Sequence, residues 1–135
     1  MSMTGGCLCG QVRYEIEGEP AMSLTCHCKN CQKQAGSSLS VIIGVPASNF
    51  SMTGELKTYE DTGDSGQPVL RMFCPQCGSP VVSKVSQQPG MVFVKAGTLD
   101  DTSTIKPAFH LYTKSKQDWV ELGDIPAFET VPDGL

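Results

Sequence analysis

Three short cysteine clusters constrain this chain more than any other feature of its sequence. They form a CxC pair, a CxCxxC triplet and a CxxC pair, and their seven members are Cys7, Cys9, Cys26, Cys28, Cys31, Cys74 and Cys77. Structural zinc is closed by four protein ligands, whereas catalytic zinc keeps three and an open position. A division of seven thiolates into four and three therefore predicts two metal sites, one of them open.

The spacing indicates which cysteines share a site. Cys26, Cys28 and Cys31 lie within six residues, so one turn of chain can place three sulfurs around an ion at about 2.3 Å each. Neither outer pair can close a tetrahedral site alone, but together they supply four ligands. We therefore expect the outer pairs to form the closed site and the triplet the open one. Joining the first pair to part of the triplet is an alternative that spacing does not exclude.

Three other interpretations of the cysteines compete with two zinc sites. A disulfide framework is typical of small secreted proteins, but the cysteine count is odd and residues 1–22 lack the apolar run of a signal peptide. A redox function for the CxxC pair would leave five cysteines without a role, in a sequence lacking the expected βαβ pattern. The third alternative is a purely structural module in which a histidine also closes the triplet site.

Only two histidines are available for that closure. His27 lies between two cysteines, and in an extended segment its side chain would point away from the metal because successive Cβ atoms alternate. We expect it to form a wall of the site instead. His110 lies in a strand-like run, where a hydrogen-bonded, half-buried imidazole is the default and a role at the open site is the alternative.

Length and charge define the broad class of the protein. The 135 residues suit a single domain, 1–135, whose core can bury roughly two-thirds of the surface of the unfolded chain. No apolar stretch approaches the roughly 20 residues of a membrane span, and we expect a cytoplasmic protein, since thiolates stay reduced there. The net charge of -4 and the scattered lysines and arginines argue against nucleic-acid binding.

The rest of the sequence predicts a mainly β protein. Residues 11–17 alternate apolar Val12, Tyr14 and Ile16 with charged residues, which is the period of a half-buried strand. Further strands, separated by turns, are expected at residues 39–45, 55–59, 69–73, 81–85, 91–95 and 108–113.

Little else in the sequence has a regular period. One short helical turn is expected to begin near Cys31 and to stop at Gly36. The chain ends, residues 1–4 and 131–135, are expected to be loosely held. Trp119, the only tryptophan, is expected in the core or as a cap on it.

Four segments carry a specific combination of motifs: GGCLCGQVRY at 5–14, CHCKNCQKQAGS at 26–37, RMFCPQCGS at 71–79 and KAGTLDD at 95–101. With His110 and Trp119 they resemble the family of glutathione-dependent formaldehyde-activating enzymes over nearly the whole chain. The resemblance implies an Mss4-like fold of curved antiparallel sheets around a structural zinc, with at most short helical turns. It also implies two zinc ions per chain, a structural ion held by Cys7, Cys9, Cys74 and Cys77 and a catalytic ion held by Cys26, Cys28 and Cys31.

The family reaction joins formaldehyde and glutathione to give S-hydroxymethylglutathione. Three thiolates leave zinc with a net charge of about -1, so the site polarises water less than a three-histidine site and suits a fourth sulfur ligand. We therefore predict a zinc-dependent carbon-sulfur lyase acting on a small-molecule thiol, glutathione or similar, and an aldehyde. Zinc could bind the thiol or polarise the carbonyl oxygen. The alternatives are a thiol carrier without turnover and an Mss4-like module that binds a protein, and a homodimer is left open.

Candidate substrate residues flank the open cluster. Lys29 and Lys33 could attract an anionic thiol, although surface lysines are usually only solvated. The Gly36-Ser37 turn could present backbone N–H groups to a carboxylate or an oxyanion, with a plain loop as the alternative. Arg71 could bind a carboxylate through two hydrogen bonds or pair with a local acid.

Overall fold

Two β-sheets form the framework of the protein. The computed structural model describes residues 2–63 and 66–132. The strands in that part of the chain are β1 (Ser2–Gly6), β2 (Arg13–Glu17), β3 (Met22–Cys26), β4 (Ser40–Pro46), β5 (Phe50–Thr53), β6 (Lys57–Thr62), β7 (Pro68–Phe73), β8 (Pro80–Val85), β9 (Met91–Lys95) and β10 (Phe109–Leu111). The helix α1 (Lys29–Ala35) follows β3, and short 3₁₀ turns lie at Ala47–Asn49, Ala96–Thr98 and Thr113–Ser115.

The sheets differ in size and share no strand. The smaller has the order β1-β2-β5, and the larger has the order β10-β3-β4-β9-β8-β7-β6. Neighbouring strands are antiparallel except β10 and β3, which run parallel. A register shift between Met72 and Phe73 interrupts the β7–β8 pairing. The mainly antiparallel architecture confirms the predicted fold class.

The main core lies where the small sheet packs on the large one. Strand β2 buries Tyr14 and Ile16 and exposes the alternate residues Arg13, Glu15 and Glu17, as the alternating sequence predicts. These side chains join one cluster with fully buried Ile43 and Val45 of β4 and Val94 of β9. Each such aliphatic side chain contributes roughly 1.5–3 kcal/mol through burial. The opposite face of the large sheet does not take part in this core.

The helix α1 is short and has a defined start and stop. Cys28 is its N-cap, and the Cys28 sulfur accepts a hydrogen bond from the Cys31 backbone N–H. Gly36 ends the helix in the left-handed conformation, with φ 64°. The predicted turn and its stop at Gly36 are therefore confirmed, although the helix begins two residues earlier than Cys31.

The N-terminus departs from its prediction. Residues 2–4 belong to β1 and pair with β2, so they are not loosely held, while Met1 lies outside the described residues. Strands β1, β3 and β5 were not predicted. The last two do alternate apolar with polar residues but are only five and four residues long, whereas β1 has Met3 as its one large apolar residue. At the other end, Val131 and Pro132 have no regular secondary structure, and residues 133–135 lie outside the described residues.

Trp119 also departs from its prediction. Its side chain is 72% exposed, and its indole N–H donates to Gln117 Oε1 at 2.8 Å. The expectation of a core position was wrong because this segment has no strand to carry the ring inward. Within residues 2–63 and 66–132, no helix is long and apolar enough to cross a membrane.

Candidate functional site

The two outer cysteine pairs come together in the structure. Cys7 and Cys9 lie in the turn after β1, and Cys74 and Cys77 lie in the turn after β7. The sulfurs of Cys7 and Cys9 are 3.6 Å apart, those of Cys9 and Cys74 are 3.8 Å apart, and all four lie within 4.8 Å of one another. Four sulfurs around one zinc at about 2.3 Å lie about 3.8 Å from each other. The outer cluster therefore fits a tetrahedral ion, and the alternative pairing with the triplet is not found.

Backbone and side-chain donors point at these sulfurs. The Val12 N–H donates to Cys7 Sγ at 3.3 Å, and Gln11 Nε2 donates to Cys74 Sγ at 3.4 Å. Hydrogen bonds from Ser79 lower the pKa of Cys77 to about 5. Such donors stabilise thiolates, which is the form of cysteine that binds metal.

The triplet forms a second, more deeply buried cluster. Cys26 ends β3, Cys28 caps α1 and Cys31 lies in the first turn of the helix, so strand and helix together position three sulfurs within 4.8 Å. The three side chains are buried. No fourth ligand atom from a histidine, cysteine or carboxylate joins them among the described residues. The triplet therefore fits a metal ion with three protein donors and one open position.

The pKa values of two of the three thiols are shifted in opposite directions. Hydrogen bonds from Cys26 and Cys28 lower the pKa of Cys31, and the nearby Arg71 and Lys95 cations lower it further. Cys26 has a raised pKa because it is hydrogen-bonded to Cys28 and Cys31 and because it is buried. The surroundings thus favour a thiolate at Cys31, next to the positive charges.

Two buried cations lie beside the triplet. Arg71 Nη1 is 3.7 Å from Cys31 Sγ, and Arg71 Nε donates to Asp61 Oδ2 at 2.8 Å. Lys95 donates to Ser40 Oγ at 2.6 Å, and among the described residues no carboxylate lies within 4.0 Å of it. Burial lowers the pKa of Lys95, and the Cys31 thiolate opposes that effect. The two cations make the potential at the cluster more positive.

The triplet opens into a pocket of about 480 Å³ on the face of the large sheet away from the main core. Cys26, Cys28 and Cys31 line it together with Arg71 and Lys95. Its apolar wall is made of Met22, Leu24, Ile42, Val69, Val85, Phe93 and Leu111. The site therefore combines a reactive sulfur cluster, positive charge and an apolar wall.

The histidines lie outside the pocket lining and form a hydrogen-bonded pair with Thr25. His110 Nε2 lies 2.8 Å from the Leu122 carbonyl oxygen, which can only accept, so Nε2 carries the hydrogen. In the neutral ring, His110 Nδ1 then accepts from Thr25 Oγ1 at 2.5 Å. Thr25 has no second hydrogen, so His27 Nε2 donates to Thr25 Oγ1 at 3.0 Å.

This arrangement defines the state of His27. Its Nδ1 is left as an acceptor, buried and without a hydrogen-bond partner among the described residues. Burial lowers the pKa of His27, which keeps the ring neutral. As predicted, His27 points away from the sulfurs, but it does not line the pocket, so the expectation that it forms a wall of the site was wrong. His110 is a hydrogen-bonded strand residue, as the default interpretation expected.

Of the other predicted substrate residues, only Arg71 lines the pocket. Arg71 lines the pocket and also pairs with a local acid, Asp61. Lys29 and Lys33 are exposed on α1 and do not line the pocket. The N–H groups of Gly36 and Ser37 donate to helix carbonyls, at 3.3 Å to Lys33 and 3.2 Å to Gln32, so they are not free for an oxyanion.

Sequence reasoning missed Lys95 and the apolar wall. A signal for Lys95 was present, because in the strand Met91–Lys95 it follows Met91 and Phe93 at a spacing of two and therefore shares their face. Met22 and Leu24 also had a signal, because they precede Cys26 at a spacing of two in the same strand. No signal in the sequence placed Val69 or Val85 near the triplet, because strands distant in the chain bring them there.

Fold and clusters together define a small, mainly β class of protein that could hold metal ions in two thiol-lined sites, one of them open to a pocket. Residues 2–115 match the family of glutathione-dependent formaldehyde-activating enzymes. The chain belongs to this family.

Two individual proteins are similar to the chain. A protein of Colletotrichum graminicola, provisionally named a glutathione-dependent formaldehyde-activating enzyme, is 26% identical over 112 residues, which are 81% of this chain and 58% of that protein. The chain thus spans less than two-thirds of the length of this relative. A crystal structure of a Rhodobacter sphaeroides protein, 20% identical, has a TM-score of 0.60 and covers 93% of this chain and 99% of its own. This likeness supports the fold alone.

Proposed function

We propose that this chain is a zinc-dependent enzyme of the carbon-sulfur lyase type that joins a thiol to an aldehyde. The observation that carries the proposal is the buried triplet, whose three sulfurs have no fourth donor among the described residues and line a pocket. Family membership supports glutathione and formaldehyde as the substrates by name. The structure adds a pocket in which a thiol and a carbonyl compound could meet.

We assign one zinc ion to each cluster, two per chain, with a structural role for the outer cluster and a catalytic role for the triplet. All the donors are thiolates, and soft thiolate sites suit zinc. When bound by Cys26, Cys28 and Cys31, zinc supplies an open position that favours the ionised form of a substrate thiol. An elemental analysis of loaded protein checks the stoichiometry.

The chemical step is an addition. The substrate sulfur forms a bond to the carbonyl carbon, the π electrons of the carbonyl move to its oxygen, and the thiol proton ends on that oxygen. Lys95 and Arg71 lower the energy of negative charge on sulfur and oxygen during this step, because both are buried beside the cluster. The apolar wall limits the water that would weaken these interactions.

Exchange spectroscopy by NMR tests the proposal at equilibrium, where glutathione, formaldehyde and S-hydroxymethylglutathione interconvert without enzyme. We expect zinc-loaded protein to accelerate the exchange in proportion to its concentration. Cys28→Ser should bring the rate close to that of the uncatalysed reaction, whereas Lys84→Met on the exposed side of β8 should not. Saturable thiol binding with no acceleration would show a carrier instead of an enzyme.

A protein-interaction module is the less favoured function. Such a module would have a fourth protein ligand at the triplet, and none is present among the described residues. The pocket next to the sulfurs would also have no purpose in a module whose zinc is only structural.

A further inference from the structure

The floor of the pocket is one continuous face of the large sheet. Residues that are register partners share a face, and the partners Met22 and Gly44, then Gly44 and Phe93, then Phe93 and Ser83, run across four strands. A second row pairs Leu24 with Ile42. On β9 the second row continues to Lys95, the register partner of Ile42, so the floor is apolar on β3 and β4 and, in the row of Phe93, on β9.

Gly44 lets the side chains of Met22 and Phe93 approach each other across β4. A Cβ atom at this position would lie 2.7 Å from Met22 Cγ and 3.1 Å from Phe93 Cε1. Both distances are shorter than ordinary contact, so a side chain there would push the two neighbours apart. The absence of a side chain lets Met22 and Phe93 pack over the strand and present one apolar surface to the pocket.

Much of this surface remains open to the cavity. Met22, Ile42, Val69, Val85 and Phe93 are only half-buried although all five line the pocket. Apolar surface left facing water favours an apolar ligand by about 25 cal/mol for each Å² covered. The wall therefore selects for a ligand with an apolar part.

The polar groups of the pocket are placed differently. Arg71 and Lys95 lie at the sulfur cluster, whereas the lining residues Gln87, Lys114 and Thr130 are exposed, which places them at the rim. Between cluster and rim the lining is mainly apolar, with Ser83 of β8 as a buried polar residue. Formaldehyde has two heavy atoms and covers almost none of this wall, and the charged groups of glutathione would find few polar partners along it.

Building on the proposed thiol–aldehyde function, we propose that the substrate adduct carries an apolar body of several carbon atoms, which lies on the apolar wall of the pocket formed by Met22, Ile42, Phe93, Val69 and Val85. This body is bonded either to the reacting sulfur or to the reacting carbonyl carbon, and in both cases the reacting atoms face the triplet. Arg71 and Lys95, at one end of the pocket, then lie beside the negative charge formed in the reaction. The apolar body of the ligand fills the rest of the 480 Å³.

Binding measurements test this inference without turnover. Calorimetry on zinc-loaded protein would compare ethanethiol, butanethiol and hexanethiol, with 1-hexanol as a ligand that has the body but no sulfur. Each buried methylene group should raise affinity about three- to fourfold, so hexanethiol, with four more methylene groups, should bind roughly 80-fold or more tightly than ethanethiol. Equal affinities along the series would overturn the inference.

Two exchange series then distinguish the sources of the body. One varies the aldehyde from formaldehyde to hexanal with a fixed short thiol, and the other varies the thiol with fixed formaldehyde. A rate that rises with length in one series assigns the body to that substrate. Turnover with short substrates and no gain in either series would contradict the inference but keep the proposed function. Length-dependent binding without turnover would support the apolar body but contradict the proposed function.

A pair of neighbours on β7 supplies matched variants. Val69→Thr exchanges a pocket methyl group for a hydroxyl of the same shape, and we expect a three- to tenfold loss of hexanethiol affinity with little change for ethanethiol. Leu70 is half-buried but does not line the pocket, so Leu70→Thr should leave both affinities unchanged. If Val69→Thr folds poorly, Val85→Thr on β8 makes the same test. An equal effect of the pocket variant and the Leu70 variant would contradict the proposed position of the body.

Discussion

At the scale of single residues, Lys95 is the least expected side chain of the site. It ends an otherwise apolar strand, is only 7% exposed, and donates to Ser40 Oγ with no carboxylate within 4.0 Å among the described residues. A buried ammonium without an ion-pair partner is costly, and the negative charge of the Cys31 thiolate offsets part of that cost. Lys95 is therefore matched in charge to the cysteine cluster and to an anionic sulfur or oxygen beside it.

Replacing this lysine should weaken thiol binding. Lys95→Met keeps the length of the side chain and removes its charge, and we expect glutathione to bind zinc-loaded protein roughly tenfold or more weakly. Lys95→Arg should retain part of the affinity. Isothermal titration at pH 7 measures the effect, with the exposed Lys84→Met as control. Unchanged affinity in Lys95→Met would show that the ammonium does not contact the bound thiol.

Thr25 is a second residue whose role is visible only in three dimensions. Its hydroxyl accepts from His27 and donates to His110, as the hydrogen on His110 Nε2 requires. Thr25→Val keeps the shape but leaves two buried ring nitrogens without their partner, and we expect a loss of about 1–3 kcal/mol in the free energy of unfolding. Urea unfolding measures it against Thr58→Val, which is exposed on β6. Similar losses in both variants would argue against the network.

At the scale of elements, α1 and the strand before it bring the three sulfurs together. The helix has only seven residues, too few to be stable alone, so its ends and its packing decide whether it forms. Cys28 serves as both N-cap and cluster member, which couples the helix start to the site. Gly36 fixes the other end.

The glycine at the helix end gives a prediction for this element. Gly36 has φ 64° and open space around its Cα, so Gly36→Ala should cost about 1 kcal/mol through backbone conformation alone. Gly90 also faces open space but has no positive φ, and Gly90→Ala should be neutral or slightly stabilising. Chemical denaturation of both variants measures the difference. Equal stabilities would show that α1 does not depend on this cap.

At the scale of the whole molecule, the two cysteine clusters have different positions relative to the core. The outer cluster joins the turn after β1 in the small sheet to the turn after β7 in the large sheet, and Cys7 and Cys74 belong to the main core. The triplet belongs to a separate, smaller apolar cluster beside the pocket. Loss of metal should therefore have different consequences at the two sites.

Serine substitutions should separate the two roles. Cys74→Ser should destabilise the whole fold, because a structural zinc contributes on the order of 10 kcal/mol to folding. Cys26→Ser should leave a largely folded protein that has lost metal and activity at the triplet. Thermal melting and metal analysis of both variants test this. Equal collapse, or collapse of Cys26→Ser alone, would contradict the assignment of the triplet as the functional site.

The sequence by itself determined the features that depend on local spacing. The period-two pattern of residues 11–17 predicted β2, and Gly36 predicted the end of α1, because side-chain alternation and backbone conformation are properties of short segments. The cysteine spacing likewise predicted a closed and an open cluster, and the structure brings the same residues together. For the same reason the CxC spacing was enough to turn His27 away from the sulfurs.

Only the tertiary structure decided what surrounds the reactive cluster. Lys95 and Arg71 reach the triplet from β9 and β7, and the apolar floor combines residues of β3, β4 and β9 that are far apart in the chain. It also left His110 in a hydrogen-bonded strand position and Trp119 exposed. The physical reason is that a pocket is formed by strand order and register, which depend on the packing of one whole sheet face and not on any segment alone.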